Sequence, residues 1–170
     1  MAKKQKQRNP VAAIVFLGYC ALMIYLLFIR GRAVTDGLPY WEQIQNNCNF
    51  VPWRTVGNYW DVLTRAEYYI EKWGTYSAYH VQAKIAWINI LGNIAMFVPF
   101  GAFLPAMWQS LQKAWKAIPM GFLSVVAIEL IQLFTLRGRL DVDDVLLNMI
   151  GIFVGYVFWW FIRLVVGKRK

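Results

Sequence analysis

The sequence predicts an all-α membrane protein: four transmembrane helices, an outer cap of amphipathic helices and loops, and both termini in the cytoplasm. Three observations lead there. The chain has 170 residues, 59% hydrophobic and 17% aromatic, above the roughly half-apolar make-up of soluble domains. Its apolar residues gather into four blocks, each near the about 20 helical residues that cross a hydrocarbon core. Its charges are unevenly shared among the segments between those blocks.

The blocks run over about residues 11–29, 85–108, 117–136 and 145–166. The first follows Lys3, Lys4, Lys6 and Arg8, as a secretion signal would, but its apolar run exceeds a signal core of about 7–15 residues. Arg30 and Arg32 follow it where a cleaved signal would carry small residues. An uncleaved first span is therefore expected. The whole chain, 1–170, reads as one membrane domain, and the largest piece outside the spans is an extracytoplasmic segment over about 30–84.

Cytoplasmic loops attract Lys and Arg. With the N-terminus inside, the inner segments hold ten basic residues and no acidic one: Lys3, Lys4, Lys6, Arg8, Lys113, Lys116, Arg163, Lys168, Arg169 and Lys170. The outer segments hold eight of each sign. The formal charge of +9 is then almost wholly cytoplasmic and suits anionic lipid headgroups, at about 1 kcal/mol per well-placed base. Bases split among short tails and one loop argue against a nucleic-acid partner. Cys20 and Cys48 fall at different depths, so neither a disulfide nor a thiol metal site is expected. His80, the only histidine, reads as an interfacial side chain.

The outer segment interleaves aromatics with charges, from Tyr40 and Trp41 through Trp53, Tyr59 and Trp60 to Tyr79. Such side chains favour the headgroup region. Residues 59–72 are expected to be helical, and 46–52 to form a loop. The segment serves either as a plain membrane anchor or as a rim over a binding site.

The spans carry the polar chemistry. An ionisable residue inside a membrane usually faces the protein interior and has a partner. Glu129 lies near the outer end of the third span, about 10 Å deep at 1.5 Å per residue, with Gln132 on the same face. Arg54, Arg137 and Arg139 are its candidate cations. In the fourth span Asp141, Asp144, Asn148, Gly151 and Gly155 are spaced to fall within an arc of about 80°, with Asp143 pointing the other way. Gly151 and Gly155 allow close helix contact, and the aspartates also suit a helix N-terminus electrostatically. The second span adds Asn89, Gly92 and Asn93 on one face, with Pro99 and Gly101 below them as a candidate kink. Three spans thus bring polar groups to one depth in the outer half. Asn89, Asn93, Glu129, Gln132, Asp144 and Asn148 form either a shared site or a hydrogen-bonded brace worth about 0.6–2 kcal/mol per bond.

Five pieces occur in one order: Asn49-Phe-Val-Pro-Trp-Arg-Thr55, Asn89-Ile-Leu-Gly-Asn93, Phe97-Val-Pro-Phe-Gly-Ala-Phe-Leu-Pro105, Glu129-Leu-Ile-Gln132, and Arg139-Leu-Asp-Val-Asp-Asp144 running on to Asn148 and Gly151. Over about residues 49–156 this resembles the VanZ-like family of bacterial membrane proteins, named for a teicoplanin-resistance protein. Trp53 stands where the family more often has Phe. The resemblance implies a multi-pass protein of the bacterial cell membrane. It marks the polar positions already singled out, including Asp141.

Three functions remain open at this point. One is a non-enzymatic envelope protein that binds or shields a lipid-linked envelope molecule or a lipoglycopeptide, with Asn89, Asn93, Glu129, Gln132, Arg139, Asp141, Asp144, Asn148 and Arg54 as ligand-binding candidates. The second is a membrane-embedded enzyme acting on a lipid-linked precursor, with Glu129, Asp144 and Asp141 as acid/base candidates and arginines holding a phosphate. Three Asp within four residues could hold a divalent cation, yet no dedicated metal signature or nucleophile motif is present, and no cofactor is expected. The third, a proton-coupled carrier, lacks polar residues in the inner half and any visible inverted repeat.

Overall fold

The computed structural model describes residues 10–29 and 37–167. The flanking charges Lys3, Lys4, Lys6, Arg8, Arg30, Arg32, Asp36, Lys168, Arg169 and Lys170 lie outside the described residues. Helix α1 (Pro10–Ile24) passes into a π-helical turn at Tyr25–Ile29. Helix α2 (Tyr40–Asn46), the two-residue strand β1 (Cys48–Asn49), α3 (Arg54–Thr64) and α4 (Ala66–Trp73) follow. Then come α5 (Tyr76–Met107), a 3₁₀ turn (Gln109–Leu111), α6 (Ala114–Phe134), strand β2 (Leu140–Asp141) and α7 (Val142–Gly167).

Among the described residues, four helices are long and apolar enough to cross a membrane: α1 with its π turn, α5, α6 and α7. The chain is a multi-pass, all-α membrane protein, and its outward faces suit a lipid bilayer. Helix α5 begins at Tyr76, well ahead of the apolar block at residue 85. Its start is set by Thr75, whose hydroxyl accepts the Ala78 N–H at 3.2 Å. Ser77, His80, Gln82 and Lys84 kept that first part out of the apolar block. Helix α5 runs on through Pro99 and Pro105. The expected helix over 59–72 is two helices, broken at Arg65.

The four long helices meet at one core cluster, to which each contributes one buried side chain: Met23, Phe97, Val125 and Ile152. Helix α5 packs most closely on α7. A Cβ on Gly155 would overlap the Val98 carbonyl, and one on Gly151 the Ile94 carbonyl. The small-residue pair read from the sequence is therefore where the two backbones touch. Gly101 on α5 answers from the other side, against the Ile152 carbonyl.

The bundle has two distinct ends. At one, Phe16 meets Phe103 and Trp108 edge-on at 5.4 and 5.5 Å. There too, Tyr156 Oη donates to the Gln112 carbonyl at 3.0 Å, and Arg163 Nη1 donates to Gln112 Oε1 at 2.9 Å. The start of α1, the α5–α6 connection and the later half of α7 thus gather together at this tail end. At the other, cap end, β1 pairs in parallel with β2, Cys48 opposite Leu140 and Asn49 opposite Asp141. The segment expected to be a loop over 46–52 contains this pairing. Leu140 N–H extends it by donating to the Asn47 carbonyl at 2.9 Å. The short ladder holds α2 and α3 over the α6–α7 connection. Tyr40 adds a tie, its hydroxyl donating to the Phe134 carbonyl at 2.7 Å.

Candidate functional site

The first turn of α7 lies beneath the cap and presents carboxylates on two sides. Asp144 faces α5 and accepts from Asn93 Nδ2 at 2.6 Å. One turn deeper, Asn148 faces α6, where its Nδ2 approaches Glu129 Oε1 at 3.4 Å. Both Glu129 and Asn148 are buried, at 4% and 3% exposure. Their depth decides how they must be answered, because a buried polar group without a partner is costly. Asn148 Oδ1 nonetheless has no partner among the described residues.

Asp141 and Asp143 turn the other way, into the cap. Asp141 accepts from Thr55 Oγ1 at 2.5 Å, from Asn49 Nδ2 at 3.1 Å and from the Asp143 N–H at 2.9 Å. Asp143 has no exposed surface and accepts three main-chain N–H groups: Trp53 at 2.5 Å, Thr55 at 2.8 Å and Val56 at 3.0 Å. These are the orphan donors at the start of α3, which a helix cannot satisfy by itself. A side chain of α7 therefore caps α3. Trp53 adopts a left-handed conformation, φ 64°, uncommon for a bulky residue; it is the N-cap position of α3.

The amides and carboxylates expected to share a depth are thus partly united. Asn93 joins Asp144, and Glu129 joins Asn148. Asn89 bonds back to its own helix, Nδ2 to the Ile85 carbonyl at 2.9 Å. Gln132 braces α6 to the π turn after α1, Nε2 donating to the Leu27 carbonyl at 3.2 Å. Among the described residues no arginine pairs with Glu129, and the one ion pair is Arg65 with Asp61, at 3.0 Å on the surface of the cap. Neutral amides, a hydroxyl and main-chain N–H groups answer the carboxylates instead. Among the described residues, no group of three or more His, Cys, Asp or Glu side chains is placed to hold a metal ion.

At the cap end opens a polar cleft of about 280 Å³, whose lining includes Asn47, Asn49, Arg54, Thr55, Asn58, Arg139 and Asp141. Arg139 Nε donates to Asn47 Oδ1 at 3.1 Å, while Arg137 is exposed outside the cleft. Tyr59, half-buried on α3, borders the carboxylates: burial first, then Asp144 and Asp141, push its phenol above the ordinary range, against a pull from Arg139. Sequence reasoning had singled out Arg54, Arg139 and Asp141 here, but not Asn47, Asn49, Thr55, Asn58 or the capping role of Asp143. The ordered piece from Asn49 to Thr55 was the available signal for two of them.

A family model described as VanZ/LLP1 matches residues 16–163, which include every residue of the site and the cleft. No curated protein and no solved structure matches the chain.

Proposed function

The chain belongs to the VanZ-like family, and from that premise we propose that it is a binding or shielding protein of the bacterial cell envelope. In this reading it lies in the plasma membrane with the cap outward. A lipid-linked or lipid-tailed envelope molecule sits at the polar cleft, and its occupancy lowers the effect of a lipid-tailed glycopeptide such as teicoplanin. The observation that carries the reading is the cleft lined by Asp141 at the cap end, with the exposed aromatics Phe50 and Trp53 next in sequence to its lining residues Asn49 and Arg54. Pockets that orient a ligand use a few placed polar groups, and the segment that supplies them here also carries exposed rings suited to a headgroup layer. The buried carboxylates beneath are held by hydrogen bonds inside the protein, as a scaffold for a binding site would be.

The test is mass spectrometry of lipids retained by the purified chain, paired with teicoplanin susceptibility of cells with and without it. An envelope lipid should be enriched over an unrelated four-span protein. Asp141→Asn, which keeps the shape but disturbs the cleft lining, should lower that enrichment about tenfold, a change of about 1.4 kcal/mol. Equal lipid content in the two proteins, with unchanged susceptibility, would sink the reading.

One observation favours a second reading, a membrane-embedded enzyme acting on a lipid-linked precursor. The Thr55 hydroxyl lies 2.5 Å from Asp141 in the wall of the cleft, a hydroxyl beside a carboxylate base. Incubation with labelled membrane lipids, with and without Mg²⁺, checks it; absence of product under both conditions rejects it.

A further inference from the structure

We propose that the cap-end cleft is a phosphate site, selecting a phosphate monoester or diphosphate group. This deepens the binding role proposed above, and rests on it for the claim that the phosphate is carried on a lipid. The case begins with which groups in the cleft are already in use. Among the described residues Asp141 is its one carboxylate, and its two oxygens accept from Asn49, Thr55 and the Asp143 N–H. The N–H groups at the start of α3 are likewise spent on Asp143. What is left over is rich in donors and carries no free charge of negative sign, while the amides of Asn46 and Asn58 can serve as donor or acceptor. Arg54 is exposed and has no side-chain hydrogen bond or ion pair among the described residues. Arg139 uses only its Nε, on Asn47, so its two terminal nitrogens remain.

Asn47 supplies an independent sign. It is 4% exposed, it stands in the cleft wall, and its Nδ2 has no partner among the described residues. Its orientation is fixed, because Oδ1 must face the Arg139 donor. A buried amide N–H₂ without an acceptor is a cost that an acceptor-rich ligand would relieve. Two guanidiniums and free amides, against one saturated carboxylate, match an anion with several acceptor oxygens. Guanidinium forks suit the planar oxygen pairs of phosphate.

The experiment uses the full chain in phosphatidylcholine nanodiscs. Inorganic pyrophosphate and farnesyl diphosphate are titrated separately by calorimetry at matched ionic strength. Both should bind, and the lipid-borne group more tightly. The double substitution Arg54→Gln with Arg139→Gln should weaken both at least tenfold. Arg137→Gln, the same loss of charge outside the cleft, should change them less than twofold. Cys48 also lines the cleft and gives a readout in the unaltered protein: pyrophosphate should slow its reaction with an anionic thiol reagent. Failure of both probes to bind, or equal binding by the double variant, overturns the phosphate site. Pyrophosphate binding with no gain for farnesyl diphosphate keeps the site but assigns it to free phosphate, and then the lipid-binding role fails by itself. Retention of a phosphate-free envelope lipid by a chain that ignores both probes does the reverse.

Discussion

Asp143 has two oxygens and three main-chain donors, all from a different element. Replacing it with Ala leaves the N–H groups of Trp53, Thr55 and Val56 without their acceptor. Buried donors left unpaired cost about 1–3 kcal/mol each, less where water can enter. Asp143→Ala should therefore destabilise the protein by about 2–4 kcal/mol, seen as a lower unfolding temperature in detergent. Hydrogen exchange at Thr55 and Val56 should speed at least tenfold while the centre of α5 is unaffected; unchanged exchange would mean that the cap is not held this way. The sequence pointed to Glu129, Asn148, Asn93 and Asp144 because depth and helical spacing restrict which buried polar groups can meet. It gave no purchase on Asp143 for the same reason. Periodicity places a residue on a face of its own helix but says nothing of what a cap folded from a distant segment puts against that face. Asn89 and Gln132 show the converse: a shared face does not dictate a shared partner, and each found a carbonyl elsewhere.

Among the elements, α5 and α7 are joined by backbone proximity, and their glycines differ in what surrounds them. A side chain on Gly155 would meet the Val98 carbonyl and the Ala102 nitrogen, whereas around Gly92 there is nothing within 4 Å. Neither the carbonyl nor the nitrogen can yield without moving α5. Gly155→Val should cost about 3 kcal/mol or more, at the upper end of overpacked cores. Gly92→Ala should be neutral, or stabilising by up to about 1 kcal/mol from helix propensity alone. Unfolding temperatures of the two purified variants, measured side by side, decide the matter; similar losses in both would show that α5 and α7 are not in contact at Gly155. The contact was legible because Gly151 and Gly155 repeat at the spacing of one helix face. The pairing of β1 with β2 was not, since each strand has only two residues and its partner is far away in the chain. No alternation can register over so short a run. The start of α5 was missed for another reason: apolar content marks where a helix enters lipid, and Thr75 marks where it begins.

For the whole molecule, the arrangement of the two ends gives orientation its consequences. Pro10, the α5–α6 connection and the later half of α7 share the tail end, where Lys113, Lys116 and Arg163 are exposed. No described acidic residue accompanies them. The cap end mixes both signs, with Arg54, Arg65, Lys72, Arg137 and Arg139 among Glu42, Asp61, Glu67, Glu71 and the aspartates of the α6–α7 connection. Since Lys and Arg in short loops are retained on the cytoplasmic side while acidic residues contribute little, the tail end should face the cytoplasm. Single cysteines test this, placed at Ser110 in the α5–α6 connection and at Asn58 in the cleft, with Cys20 and Cys48 replaced by Ser. The thiol at position 58 should react with an impermeant reagent in intact cells, and the one at position 110 only after permeabilisation. The opposite pattern would leave the fold, the helix contacts and even a phosphate site intact. It would turn the cleft toward the cytoplasm, where neither an external glycopeptide nor an outer-leaflet lipid could reach it, and the shielding role would have to be abandoned.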